Sequence, residues 1–403
     1  MSDETKAGAT VSDYLRWRGD LTFAQDGFNE VDNLLLCIIS YIKLENIPRL
    51  RSFDPQDAMP MGDVCRLLTE EDEQLGLSTL DYIPLMRQAA ETPRFREVSL
   101  FAFESLHDED RQMQFAAVSF LLPDGSVYAA YRGTDMTIVG WQEDFNMSFL
   151  SAVPAQVKAA EYAGAVARAC PRRPLRIGGH SKGGNLAAWA AVHLDEKLQR
   201  QRLIAAYNND GPGFSRDLVD TPSYQAVADR LFTYIPASSI VGVLLEHAED
   251  YEVVDSTARS IMQHEPLSWC VEGPRFVHLG QRSQLGQLSD GVLREWIGSM
   301  SPQEREQFSR AFFDILSRGG RTKTLEDLRS GGLAAGAALI REYAGADEEK
   351  KKIISEIFRR LAVDVKDELK KAAGEGFEGV KKAAGEGLEG VKAVLTNLTK
   401  GEK

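Results

Sequence analysis

One short segment restricts the fold of this chain more than any other. Residues 175–188 read Leu-Arg-Ile-Gly-Gly-His-Ser-Lys-Gly-Gly-Asn-Leu-Ala-Ala. An apolar run leads into a turn that matches G-x-S-x-G at Gly179-His180-Ser181-Lys182-Gly183, and small residues rich in alanine lead out of it. The apolar run predicts a buried strand at Leu175–Gly178, and the small residues predict a helix over Gly184–Leu194. A serine squeezed between strand and helix sits on a strained turn, and glycines at its flanks let the packed backbones approach. That turn presents Ser181 Oγ for nucleophilic attack. It also aims the backbone N–H of Lys182, beside the helix N-terminus, at an oxygen on which negative charge develops. The strand before and the helix after distinguish this match from an ordinary glycine-rich turn.

The surrounding chain alternates between strands and helices. Gln114–Leu122 and Ser126–Tyr131 read as two strands joined at the hairpin turn Pro123-Asp124-Gly125, and Ile138–Leu150 reads as a helix. Strands are expected again at Leu203–Tyr207, Leu231–Ile235 and Tyr251–Val254. This order favours an α/β architecture: a mostly parallel sheet with helices on both faces. Four stretches follow. Residues 1–94 carry a helical pattern (Phe28, Val31, Leu34, Leu35, Ile38, Ile39, Ile42) and are either a separate domain or a helical cover. Residues 95–290 hold the α/β core. Residues 291–346 form a helical extension that starts at the capping signal Ser301-Pro302-Gln303-Glu304. Residues 347–403 form a helical tail.

Composition removes several classes of function. The chain has 403 residues with 60 acidic against 47 basic side chains, a net charge of -13. That balance argues against nucleic acid as a partner, because phosphate binding needs a basic face. The densest apolar run, Leu34–Ile39, is far shorter than the roughly 20 residues that span a bilayer, and the first residues lack the features of a signal peptide. Cys37, Cys65, Cys170 and Cys270 form no CxxC pair, which fits buried thiols in a reducing cytoplasm better than a metal site or a disulfide framework.

GGHSKGGNLAAWAA resembles the nucleophile elbow of the α/β-hydrolase superfamily. Tyr131-Arg132-Gly133-Thr134, followed by Trp141-Gln142-Glu143-Asp144-Phe145, is similar to the pattern of the class 3 lipase branch, and within it the chain resembles an uncharacterised bacterial lipase-like group. Two linked motifs in the right order are more specific than either alone, and the resemblance covers residues 95–290. It implies the α/β-hydrolase fold, an acyl-enzyme on Ser181, and an oxyanion hole shared by Thr134 and Lys182. It implies no metal and no organic cofactor.

The remaining catalytic groups are expected in the order serine, acid, histidine. Of the histidines after the elbow, His264 lies in a polar loop beyond the strand Tyr251–Val254 and is preferred over His278 and His247. The acid departs from the class 3 pattern, because Ser239 stands where the aspartate is usual. Asp210, at the end of the strand Leu203–Tyr207, is the preferred alternative, with Asp255 and Asp250 in reserve. A turn aspartate ahead of Gly211-Pro212 is the competing reading of Asp210. The Lys182 side chain is expected to pair with a surface acid, or else to meet an anionic substrate group.

The tail contains an eleven-residue repeat, KKAAGEGFEGV at Lys370–Val380 and KKAAGEGLEGV at Lys381–Val391. Phe377, Val380, Ala384, Leu388, Val391 and Leu395 recur three or four residues apart, on one helical face, and the stripe continues upstream through Ile354. The repeat glycines oppose a helix by about 1 kcal/mol each. Peripheral contact of residues 347–403 with a lipid surface is one reading; a solvated tail, or a helix packed on the body or a partner, is the other. The sequence thus supports a cytoplasmic serine hydrolase acting on small-molecule or lipid esters, peripheral at a membrane if the tail binds lipid. The rival is a non-catalytic α/β-hydrolase-fold binding or scaffold protein, favoured by serine at the usual acid position.

Overall fold

The computed structural model describes residues 8–69, 82–134, 138–283, 286–287, 292, 295–318, 345, 347–357 and 359–360. The chain divides into two compact units, one formed by Met1–Asp135 with Ala152–Ser283 and the other by Met136–Ser151 with Gln284–Lys403.

The first unit is built on a sheet of nine strands. In chain order the strands are β1 (Met59–Pro60), β2 (Ser99–Asp108), β3 (Met113–Leu121), β4 (Val127–Tyr131), β5 (Leu175–His180), β6 (Leu203–Asn209), β7 (Leu231–Pro236) and β8 (Tyr251–Val254), followed by a small hairpin of β9 (Val271–Glu272) and β10 (Arg275–Phe276), and by β11 (His278–Leu279). The sheet runs β1-β2-β3-β4-β5-β6-β7-β8-β11, so every strand from β1 to β8 pairs with its neighbour in sequence. Strands β4 to β8 are parallel, and the strands at both edges are antiparallel. The parallel heart is what strand–helix alternation dictates, because parallel neighbours need a crossover between them.

The hairpin of β3 and β4 turns at Gly125, whose φ of 85° needs glycine. Strand β2 is absent from the sequence expectation. Its register shifts between Phe101 and Glu104, and Ala102 takes a φ of 53°. Such a bulge breaks the two-residue alternation by which a strand is recognised.

Helices cover both faces. Helix α1 is Val11–Arg18, α2 is Glu30–Ile39, α3 is Met61–Leu67 and α4 is Tyr82–Glu91. Helix α2 begins at Asn29, whose side chain accepts from the Val31 and Asp32 N–H groups, while Asp32 accepts from the Asn29 N–H. Every residue from Val31 to Ile39 is buried, as expected of a helix that is apolar nearly all round. It packs on β4 and β5 and shares one hydrophobic core with Phe120, Tyr128, Tyr207 and Tyr234 of the sheet. The N-terminal helices therefore cover one face of the sheet. A buried ion pair fixes that cover: Arg94 Nε and Nη2 donate to the two Asp32 carboxylate oxygens at 2.7 and 2.5 Å, and further donors reach Leu21 O, Asp26 O and Gly27 O. With every donor engaged, the pair fixes geometry as well as charge.

On the opposite face lie α6 (Pro154–Ala169) and α7 (Lys182–His193), which pack on each other. All α7 residues from Lys182 to Val192 are buried, and its small side chains let it approach β4, β5 and β6 closely.

In the second unit, α5 (Ile138–Asn146) ends short of the expected Leu150. Phe145 packs on Phe308 of the helix Pro302–Arg318 with ring centroids 5.4 Å apart, and Ser309 Oγ donates to Asn146 Oδ1 at 2.7 Å. Ile354, at the upstream end of the apolar stripe, is buried in the same small core, as is Ile357. The repeats from Lys370 onward lie outside the described residues. No helix among the described residues is long and apolar enough to cross a membrane. Cys37, Cys65, Cys170 and Cys270 are all buried.

Candidate active site

Strand β5 delivers its last residues to both faces of the sheet at once. Alternation along the strand turns Gly179 toward α7, where a Cβ would overlap the Gly183 carbonyl, and turns Gly178 and His180 toward α2 and Tyr41. Ser181 then takes a φ of 59° and a ψ of -135°, a region that L-residues rarely occupy. Its N–H donates to Asn209 O at 2.9 Å, and α7 starts at the next residue. Gly183 allows α7 to cross the end of β4, because a Cβ there would overlap the Tyr131 carbonyl. The strained serine, the tight glycines and the helix start lie together in one sharp strand-to-helix turn.

Beside this turn the structure brings two of the predicted residues together. Asp210 directly follows β6 with a φ of 54°, and its carboxylate is fully buried. Its Oδ2 lies 2.7 Å from His264 Nδ1, in the loop that follows β8. The imidazole keeps 27% of its surface exposed, so one ring nitrogen is fixed while the side chain stays accessible. Asp210 Oδ1 accepts from Ser239 Oγ at 2.5 Å and from the Gly242 N–H at 3.2 Å. Ser239, at the position where the class 3 pattern places its acid, thus donates to the acid that stands one strand earlier.

The other candidates are held elsewhere. His247 lies between Glu249 Oε1 at 3.0 Å and Gly242 O at 2.8 Å. Burial opposes the charge on Glu249, yet hydrogen bonds from His247, Thr233 and Tyr224 keep its carboxyl below the usual range. His278 pairs with Glu30 and Glu252. Asp255 Oδ1 accepts from the Ser256 N–H, and Asp250 is exposed.

Thr134 is buried. It follows Gly133, where a Cβ would stand 2.7 Å from His180 O and 3.1 Å from Ser181 Cβ. The end of β4 is therefore packed against the elbow. The Lys182 side chain corrects the expectation of a surface pairing. It is 1% exposed, and its Nζ donates to Gln114 O at 2.9 Å and to Gln114 Oε1 at 2.6 Å.

Three further groups escape the sequence pattern. His180 Nε2 lies 2.8 Å from His264 O, the two rings lie tilted by 36° with centroids 4.6 Å apart, and His180 Nδ1 lies 3.0 Å from Tyr41 Oη. Burial, with His264 beside it, pushes His180 well below the usual histidine range. Tyr82 Oη donates to Glu265 Oε1 at 3.0 Å. The position of His180 inside G-x-S-x-G is a local signal that could have flagged it; the tyrosines carry none.

A mostly parallel sheet with helices on both faces, whose fifth strand turns sharply through a serine into a buried helix, defines the chain as an α/β-hydrolase-fold protein. A family model described as Mbeg1-like matches residues 89–314. The chain belongs to the Mbeg1-like family, a lipase-like family. Among solved structures it is similar to one titled "Crystal structure of M37 lipase", with 15% identity and a TM-score of 0.32 over 54% of this chain and 70% of the other. No curated protein matches the chain.

Proposed function

We propose that the chain is a serine hydrolase that cleaves carboxylic esters through an acyl-enzyme on Ser181. The observation that carries this reading is the Asp210–His264 contact of 2.7 Å beside a strained serine turn. Asp210, fully buried and supplied with two donors on Oδ1, accepts the His264 Nδ1 proton and so leaves Nε2 free to act as a base. His264 Nε2 takes the Ser181 hydroxyl proton as Oγ bonds to the ester carbonyl carbon. The carbonyl oxygen becomes an oxyanion, which the backbone N–H groups of Lys182 and Thr134 stabilise. Collapse of the tetrahedral intermediate breaks the bond to the leaving alkoxide, which takes its proton from His264. Water then gives a proton to His264 and attacks the acyl carbon; Ser181 leaves with that proton and the acid is released.

Membership of a lipase-like family supports esters, lipid esters among them, as the substrate class. The four buried cysteine thiols support a reducing compartment such as the cytoplasm. Binding without catalysis is the rival reading. It drew on Ser239 at the usual acid position, and the Ser239–Asp210 bond favours the catalytic reading over it.

The test is intact-mass analysis of protein acid-quenched while it turns over p-nitrophenyl butyrate. We expect one butyryl group per chain, on the peptide that contains Ser181. Turnover with unmodified protein at every quench time would rule out the covalent route.

A further inference from the structure

We propose that Tyr41 and His180 form a clamp that positions His264, so that the N-terminal helical cover is part of the catalytic apparatus. This inference rests on the assignment of His264 as the base. Asp210 fixes the ring of His264 from one side only, and a ring is no better placed than the backbone that carries it. The backbone anchor is the second contact of the same residue. His264 O can only accept, so His180 Nε2 donates to it at 2.8 Å. Burial keeps His180 neutral, and its Nδ1 is then an acceptor for the Tyr41 hydroxyl at 3.0 Å. Burial likewise keeps the Tyr41 phenol protonated.

Tyr41 is itself tied down. Arg132 Nε donates to Ser40 O at 2.8 Å and Arg132 Nη2 donates to Ile42 O at 2.9 Å, one bond on each side of the tyrosine. These bonds also satisfy carbonyls at the end of α2 that have no helical partner. The Tyr41 hydroxyl lies against Gly133, where any Cβ would collide with it, and 3.2 Å from His180 O. One phenol therefore touches the loop that leads to Thr134, the residue before the nucleophile, and the ring that holds the base. Tyr82, whose ring centroid is 5.9 Å from that of Tyr41, bonds Glu265 and secures the next residue of the histidine loop.

A neutral His180 suits the chemistry as well as the geometry. During acyl transfer His264 becomes an imidazolium, and a charged ring 4.6 Å away would oppose that change. Burial of His180 removes this penalty. Tyr41 and His180 act through His264 and touch no reacting atom, so they are positioning residues.

The test compares wild type with Tyr41→Phe, His180→Phe and His180→Gln, the last keeping an N–H that can reach His264 O. Two quantities are read: the rate of labelling by a fluorophosphonate, and the downfield proton resonance of the His264 Nδ1–H bonded to Asp210. Loss of the Tyr41 hydroxyl is expected to slow labelling about tenfold, as for one lost hydrogen bond in a network. The resonance should move upfield or broaden while circular dichroism stays unchanged. His180→Phe should slow labelling further and His180→Gln should recover part of the rate. Wild-type labelling with an unmoved resonance in both Tyr41→Phe and His180→Phe would overturn the clamp. If wild type itself failed to label, the hydrolase reading would fall, and the resonance alone would still decide whether Tyr41 and His180 hold the histidine.

Discussion

Ser181→Ala is expected to lower turnover of a short p-nitrophenyl ester by about 10⁴-fold or more, with the thermal midpoint nearly unchanged. The two halves of that result have separate causes. The rate falls because no other residue of the turn Gly179–Gly183 carries a hydroxyl, so the covalent route closes and only oxyanion stabilisation and binding are left. The fold survives because the serine hydroxyl makes no capping bond at the start of α7. Alanine at a φ of 59° is strained as serine is strained, so the exchange moves stability little. Side-by-side initial rates and melting curves check both halves. A variant that kept its rate would remove Ser181 from the chemistry.

Asp210→Asn is expected to cost about 10³ to 10⁴-fold in kcat, again in a folded protein. The amide has the shape of the carboxylate and would orient by its surroundings. Ser239 Oγ and the Gly242 N–H both donate toward the Oδ1 position, so the amide oxygen would settle there. The amide NH₂ would then face His264 Nδ1 in place of the carboxylate oxygen 2.7 Å away. A donor at that place forces Nδ1 to accept and puts the imidazole proton on Nε2, the nitrogen that must receive the Ser181 proton. The histidine would be correctly placed and in the wrong tautomer. Steady-state kinetics on the purified variant check this; a rate within about threefold of wild type would assign the acid to another residue.

The parts of the molecule that were legible in the sequence are those coded locally. The serine turn lies within one strand, one turn and one helix, and the hairpin turn at Gly125 and the strands β3 to β8 carry short apolar runs bounded by breakers. What was not legible depends on distance or on irregularity. Strand β2 hides behind its bulge at Ala102. The sequence singles out Asp210 and His264 from their places after strands, but their contact spans 54 positions, and Ser239 meets Asp210 only once β6 and β7 lie side by side. Tyr41 stands 139 positions from His180; in sequence it is one more aromatic residue after an apolar helix. Lysine is usually a surface charge, and it is the bonds of the Lys182 ammonium to Gln114 of β3, 68 positions away, that accompany its burial.

The central claim is that Ser181 is an activated nucleophile, and covalent labelling by a fluorophosphonate tests it most directly. The reagent reacts with a serine hydroxyl only when a base removes its proton and an oxyanion site receives the phosphoryl oxygen. With purified protein of 403 residues, the account predicts a single adduct, mapped by peptide mass analysis to the segment containing Ser181 and absent in Ser181→Ala. Folded wild-type protein that stays unlabelled, or that carries its adduct at another residue, would contradict it.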